Sequence, residues 1–271
     1  MLKDITMGQY FPAKSLLHRL DPRMKLVLTI LWICMVFIPK NWYGLGGAVA
    51  FLFLSISLSG LPTRLVLKSI RPIVPIILFT SAINIFYVKQ GTLLARWWIF
   101  EIHTGGFVTA AFIVVRILCL IAGSSLLTYT TPPTALTDAL ERLLKPLKVL
   151  RVPVHDLAMM MTIALRFIPT LIEETDKIMS AQKARGADLE SGKLLQRVRA
   201  MIPILIPLLA SSFRRAYELA TAMECRCYQG GDGRTRMKIL DLAARDYIAF
   251  TVCTVVLVGF ILLNVIVKPV L

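Results

Sequence analysis

Two short stretches of this chain place an arginine between small residues: Ala184-Arg185-Gly186 and Cys225-Arg226-Cys227. The arginines stand 41 positions apart, and Ala181 or Ala222 lies one helical turn upstream of each. Small flanks let a partner's backbone come close. A guanidinium held in such a notch can grip a carboxylate through two parallel hydrogen bonds. The plainer reading is that a basic residue in a last helical turn before glycine complements the helix dipole and helps cap free carbonyls. The second copy, which keeps small flanks without being a simple glycine stop, favours docking. Ala184, Arg185, Gly186, Cys225, Arg226 and Cys227 are therefore the candidate docking residues, and the chemistry is recognition rather than bond making.

Other reactive types form no catalytic, cofactor or metal set. His18, His103 and His155 are scattered, and no H-E-x-x-H or carboxylate cluster has metal-ligand spacing. Glu173-Glu174 is similar to the paired glutamates of an intramembrane protease family, but Thr-Asp-Lys-Ile follows where that motif needs an arginine. An intramembrane enzyme would need clustered ionisable groups at membrane depth, and Arg116 is the one cation of note there. A functional role and a structural pairing of Arg116 are both open. The chain has no G-x-x-x-x-G-K-[ST] loop, so ATP would have to be hydrolysed by another chain. The five cysteines lack C-x-x-C spacing and read as small hydrophobes.

The elements that must hold the two motifs come from hydropathy. Of 271 residues, 56% are hydrophobic, against roughly 45–50% in a soluble domain, which places most of the chain in lipid. The net charge of +15 fits the basic cytoplasmic loops of a membrane protein. No zinc-finger spacing, Gly-rich RNA motif or basic–aromatic interleaving accompanies it, so no nucleic-acid partner is expected. The N-terminus is polar through Lys25 and lacks the early apolar core of a removed signal peptide.

A spanning helix needs about 20 apolar residues. Five spans are expected, at 26–39, 43–60, 72–88, 106–129 and 247–267. The second is rich in Gly and Ser, which suits close helix packing in lipid. Residues 89–104 are too polar to span and read as an interfacial hairpin or short helix on the outer face. Lys3, Lys14, Arg19, Arg23 and Lys25 precede the first span, and Arg64, Lys68 and Arg71 fill the turn 61–71. Residues 131–245 hold 18 Lys/Arg against 12 Asp/Glu. By the positive-inside rule these stretches are cytoplasmic, with the N-terminus inside and the C-terminus outside.

Residues 131–245 carry three helical patterns. Thr131-Pro132-Pro133-Thr134 predicts a start with a hydroxyl cap, for a helix running to about Leu150. The second runs from about His155 to Arg185, stopped by Gly186 and kinked at Pro169. The third runs from about Lys193 to Tyr228 and is bent at Pro203 and Pro207. Its apolar centre, 201–209, is expected to be buried against the second helix and the membrane face. The two long helices are expected to cross and to present Arg185 and Arg226 side by side.

The fold class is thus all-α membrane protein: about five transmembrane helices plus a cytoplasmic block of long crossed coupling helices. The organisation is 1–130 (four spans), 131–245 (coupling helices) and 246–271 (last span).

Ser15-Leu16-Leu17-His18-Arg19-Leu20-Asp21-Pro22-Arg23-Met24-Lys25-Leu26 and the paired small-Arg-small motifs resemble the transmembrane T component of energy-coupling factor transporters, the EcfT family of ABC-type vitamin importers. The likeness covers essentially the whole length. The second motif departs from Ala-Arg-Gly at both flanks, with Cys225 and Cys227. The resemblance implies that each arginine inserts into one of two ABC-type ATPase subunits (EcfA and EcfA'-like), which bind ATP and Mg. It implies that the spans hold a substrate-binding S component, and that this chain is a non-catalytic subunit of the cell membrane without a substrate site or cofactor of its own. The N-terminal motif resembles the version in shared factors that serve several S components. His18, Arg19, Asp21, Pro22, Arg23 and Lys25 belong to it, with a role open between fold anchor and contact site. A conventional ABC-type permease with its own polar substrate pathway is the alternative, and the sparse polar residues of the spans argue against it.

Overall fold

A computed structural model of the chain describes residues 10–88, 92–97, 100–187, 194–230 and 240–267. The helices are α1 (Pro22–Phe37), α2 (Trp42–Ser59), α3 (Thr63–Ile70), α4 (Val74–Tyr87), α5 (Thr104–Thr130), α6 (Pro133–Leu143), α7 (Val154–Ala184), α8 (Leu194–Glu224) and α9 (Ala244–Ile266). Strands β1 (Leu93–Trp97) and β2 (Phe100–His103) pair antiparallel, with Trp97 opposite Phe100. The fold is all-α apart from this hairpin, which takes the first of the two forms expected for 89–104. Packing divides the chain into two units, one from residues 8–139 and 239–271, the other chiefly from 140–238.

The first unit is built round α5, which packs against α1, α2, α3 and α4, while α9 lies against α1 and α2. Trp32, Met35 and Val36 of α1, Ala48 and Leu52 of α2, Cys119, Ala122 and Leu126 of α5 and Phe260 of α9 make its core. Close approach depends on glycine at one point above all. A Cβ at Gly123 would fall 1.9 Å from the Trp32 indole nitrogen, so α1 and α5 can touch only because position 123 has no side chain.

Five helical stretches are long and apolar enough to cross a bilayer: Trp42–Ser59, Thr63–Tyr87, Thr104–Thr130, Val154–Ala184 and Ala244–Ile266. The chain is a multi-pass membrane protein. Helix α1 has only 16 residues, because Pro39 stops it. It is nevertheless matched end to end with α9. The Asp21 amide donates to Asp246 Oδ1 (2.8 Å) at one end, and Asn41 Nδ2 donates to the Val267 carbonyl (3.0 Å) at the other. Whatever thickness α9 crosses, α1 with its flanks also bridges, and the two run parallel.

Several expectations need correction. Residues 61–71 are not a turn. Thr63–Ile70 is helical, and Pro72 tightens Arg71–Ile73 into a 3-10 turn that leads into α4. The helix expected to reach Leu150 ends at Leu143, and Pro146 lies in the 3-10 segment Lys145–Leu150 that replaces its last turns. The Thr131 hydroxyl has no partner among the described residues, because the helix opens one residue later and the Leu136 amide bonds to the Pro132 carbonyl. Helix α7 meets the length and composition of a span although it was expected outside the membrane; it is the least apolar of the five. Arg116 takes the structural role. It donates to the Pro39 carbonyl (2.6 Å), and its guanidinium lies 4.8 Å from the Phe112 ring centroid.

Candidate docking site

Both arginines occupy the same local structure. Helix α7 ends with the Gly186 amide bonded to Lys183 O (3.0 Å) and the Ala187 amide reaching back to Gln182 O (3.0 Å). Helix α8 ends identically, with Cys227 N–H to Glu224 O (2.8 Å) and Tyr228 N–H to Met223 O (3.1 Å). The six-to-one bond from the second residue past the cap, closed over a left-handed residue, is a Schellman stop. The left-handed residues are Gly186 (φ +86°) and Cys227 (φ +56°). Cys227 thus does in the second motif what glycine does in the first, and the departure from Ala-Arg-Gly leaves the backbone geometry intact. Arg185 and Arg226 each sit at the cap itself.

Ala184, Arg185, Gly186, Cys225, Arg226 and Cys227 are all exposed, and a Cβ at Gly186 would meet nothing within 4 Å. Neither guanidinium pairs with any group of its own chain among the described residues. Two cations with small flanks therefore project from helix ends with their donors uncommitted.

Their mutual placement differs from expectation. His155 Nε2 lies 3.3 Å from the Tyr228 hydroxyl, which also donates to Met159 Sδ (3.0 Å). Glu174 accepts from Arg215 Nη2 (2.7 Å) and from the Ser211 hydroxyl, and Gln182 Nε2 reaches the Pro203 carbonyl (3.4 Å). As the partner on α7 moves up the chain, the partner on α8 moves down it. The helices are an antiparallel pair along their whole length, so Arg185 and Arg226 stand at opposite ends rather than side by side. At 1.5 Å rise per residue, a 31-residue helix separates them by roughly 45 Å.

The expected burial of 201–209 also fails within this chain. Ile204 is buried, but Met201, Ile202, Leu205, Ile206 and Leu209 are exposed. Ile202, Ile206, Leu209, Phe213 and Tyr217 form one stripe at helical spacing, all exposed. An apolar stripe of that length, uncovered by this chain, is available to lipid or to a partner.

The N-terminal motif is a clasp. Asp21 caps α1 by accepting the Arg23 amide (2.8 Å) and holds the Arg23 guanidinium (3.2 Å), which also bonds the Leu240 carbonyl. Lys25 Nζ donates to the carbonyls of Thr130 (2.9 Å) and His18 (3.4 Å). His18 contacts the Ser15 hydroxyl (2.6 Å) and the Phe11 carbonyl (2.9 Å). Pro22 starts α1, and Arg19 is exposed. Together these tie the beginnings of α1 and α9 to the end of α5.

Sequence reasoning missed Asp246, 1% exposed, which accepts the amides of Asp21 and Ala243 (both 2.8 Å). An acid in the first turn of a span was its only signal. It also missed Glu174 and Tyr228, whose partners are too distant in the chain for any local pattern to show. Among the described residues no group of three or more His, Cys, Asp or Glu could hold a metal.

Residues 13–238 match the model of a family described as cobalt transport protein, CbiQ. Three relatives, each named as an energy-coupling factor transporter transmembrane protein EcfT, are similar over nearly their whole length. That of Clostridium kluyveri is 51% identical over 97% of this chain and 98% of its own. That of Ruminiclostridium cellulolyticum is 49% identical over 97% and 98%. That of Bacillus subtilis is 47% identical over 91% and 93%.

Proposed function

The chain belongs to the EcfT family of energy-coupling factor transporter transmembrane proteins, and from that premise we propose that it is a non-catalytic coupling subunit that docks two ATPase subunits through Arg185 and Arg226. One observation carries this reading: two unpaired, identically capped arginines at opposite ends of a single antiparallel helix pair. A separation of roughly 45 Å suits one socket on each of two ATPases better than a shared socket.

The N-terminus is cytoplasmic and the C-terminus outside, which the basic residues before α1 and the parallel run of α1 and α9 support. Helix α7 acts with α8 as a coupling helix rather than as a further span. Among the described residues its partner along its length, α8, is not one of the stretches apolar enough to cross, and Pro203 and Pro207 interrupt its apolar centre. ATP and Mg are bound by the ATPases, whose closure moves the plugged tips. The Glu174–Arg215 pair makes α7 and α8 move together, and the uncovered stripe on α8 receives the substrate-binding S component. Coupling of this kind needs two states of the pair with different contacts in each.

The test is Arg185→Glu and Arg226→Glu, singly and together, in the complex purified from membranes. Breaking one side of a buried charge pair costs about 2–5 kcal/mol, at least roughly 30-fold in affinity. Each single variant is expected to lose one ATPase, and the double variant both, together with ATP-driven uptake. Unchanged ATPase recovery and uptake in the double variant would remove the docking reading. Transport by this chain and the ATPases without another membrane subunit would favour a conventional permease.

A further inference from the structure

The first unit contains a cavity of about 410 Å3, within the roughly 300–1,000 Å3 of small-molecule sites. Its residues come from α1, α2, α5, α9 and the segment before α1, and nearly all are apolar. Thr29 and Ser55, which also line it, spend their hydroxyls on the carbonyls of Lys25 and Phe51, and the other polar residues gather at one end. Lys25 opens α1, Thr130 closes α5 and Arg245 opens α9, so all three lie at the face where the N-terminal clasp sits. Trp32 and Cys253 lie seven and eight residues further along α1 and α9. At 1.5 Å per residue the cavity therefore runs about 11 Å inward from its charged rim. That is somewhat less than half of a hydrocarbon core roughly 30 Å thick, the reach of a single leaflet.

The rim has spare positive charge. Arg245 is exposed and pairs with nothing among the described residues. The Lys25 ammonium donates to two backbone carbonyls and forms no direct ion pair. The neighbouring carboxylates are engaged, Asp246 by two amides and Asp21 by Arg23.

We propose that this cavity seats one acyl chain of an anionic phospholipid, with the headgroup phosphate held at the rim by Arg245 and Lys25. A soluble anion would have no use for an apolar shaft below the rim. A zwitterionic lipid would leave Arg245 uncompensated. Basic pockets between spanning helices on one membrane face are suited to anionic headgroups, and a chain-filled shaft removes the void that an empty one would leave beside Trp32. The proposal is independent of ATPase docking.

The full chain, purified in detergent, is mixed with equal amounts of phosphatidylglycerol and phosphatidylcholine, and bound lipid is read by native mass spectrometry. The wild type is expected to retain one phosphatidylglycerol in preference to phosphatidylcholine. Arg245→Gln, a change at an exposed and unpaired side chain, is expected to lower that preference about fivefold, the worth of one basic contact near a membrane surface. Ala249→Leu, which intrudes on the shaft, is expected to reduce retention of both lipids, with elution volume reporting that it is folded. Equal retention of the two lipids by the wild type would overturn the proposal, as would no retention at all, the result if another segment or partner fills the cavity. An unchanged preference in Arg245→Gln would overturn it as well. Glycerol 3-phosphate competing as well as the whole lipid would reassign the rim to a free phosphate and remove the acyl-chain claim.

Discussion

Gly186 and Cys227 hold the same left-handed position, each one residue beyond an exposed arginine at a helix end. A left-handed conformation costs an ordinary side chain roughly 1–2 kcal/mol and glycine almost nothing. The second tip therefore stores strain that the first does not. Because the two hydrogen bonds that close each cap are the same, the two positions form an internal control.

Cys227→Gly is expected to stabilise the end of α8 by about 1 kcal/mol, and Gly186→Ala to destabilise the end of α7 by a similar amount. Hydrogen exchange of the amides of Ala187 and Tyr228, which close the two caps, measures both. Opposite changes in protection are expected. The same sign at both tips would contradict the shared cap.

Glu174 fastens the middle of α7 to α8 through Ser211 and Arg215. The Arg215 side chain is 35% exposed, so the ion pair is partly screened and the loss in Glu174→Ala is set at about 1 kcal/mol. Its larger expected effect is on coupling. ATP hydrolysis by the purified complex should persist while uptake per ATP falls, as measured in proteoliposomes. An unchanged ratio would show that the pair is not a transmitting contact.

Asp246 is the buried acceptor for two backbone amides. Asp246→Ala leaves both without a partner and is expected to cost about 3 kcal/mol, whereas Asp246→Asn keeps one acceptor oxygen and should cost less. Thermal unfolding of the full chain in detergent ranks the two. Equal losses would mean that the one acceptor oxygen asparagine keeps contributes nothing.

Much of the architecture could be read from local pattern. The spans follow from runs of apolar residues, and the end of α7 follows from Gly186, because both are set by the residue and its near neighbours. Proline positions are legible in the sequence, but whether each one ends a helix depends on the packing around it. Pro146 broke a helix that was expected to continue, while α7 and α8 continue through Pro169, Pro203 and Pro207. Fold anchor against contact site could not be decided for the N-terminal motif, because its partners Thr130, Leu240 and Asp246 lie more than a hundred residues away.

The sequence by itself determined that this chain lives in a membrane and that it carries two arginine tips, since hydropathy and small-residue spacing are local properties. Only the tertiary structure decided where those tips stand. The few residues between Ala184 and Leu194 are too short to return along a 31-residue helix, so the sequence excludes a parallel pair but leaves the crossing angle open. The side-chain contacts between α7 and α8 select close antiparallel packing over a crossed pair, and that sends Arg185 and Arg226 to opposite ends.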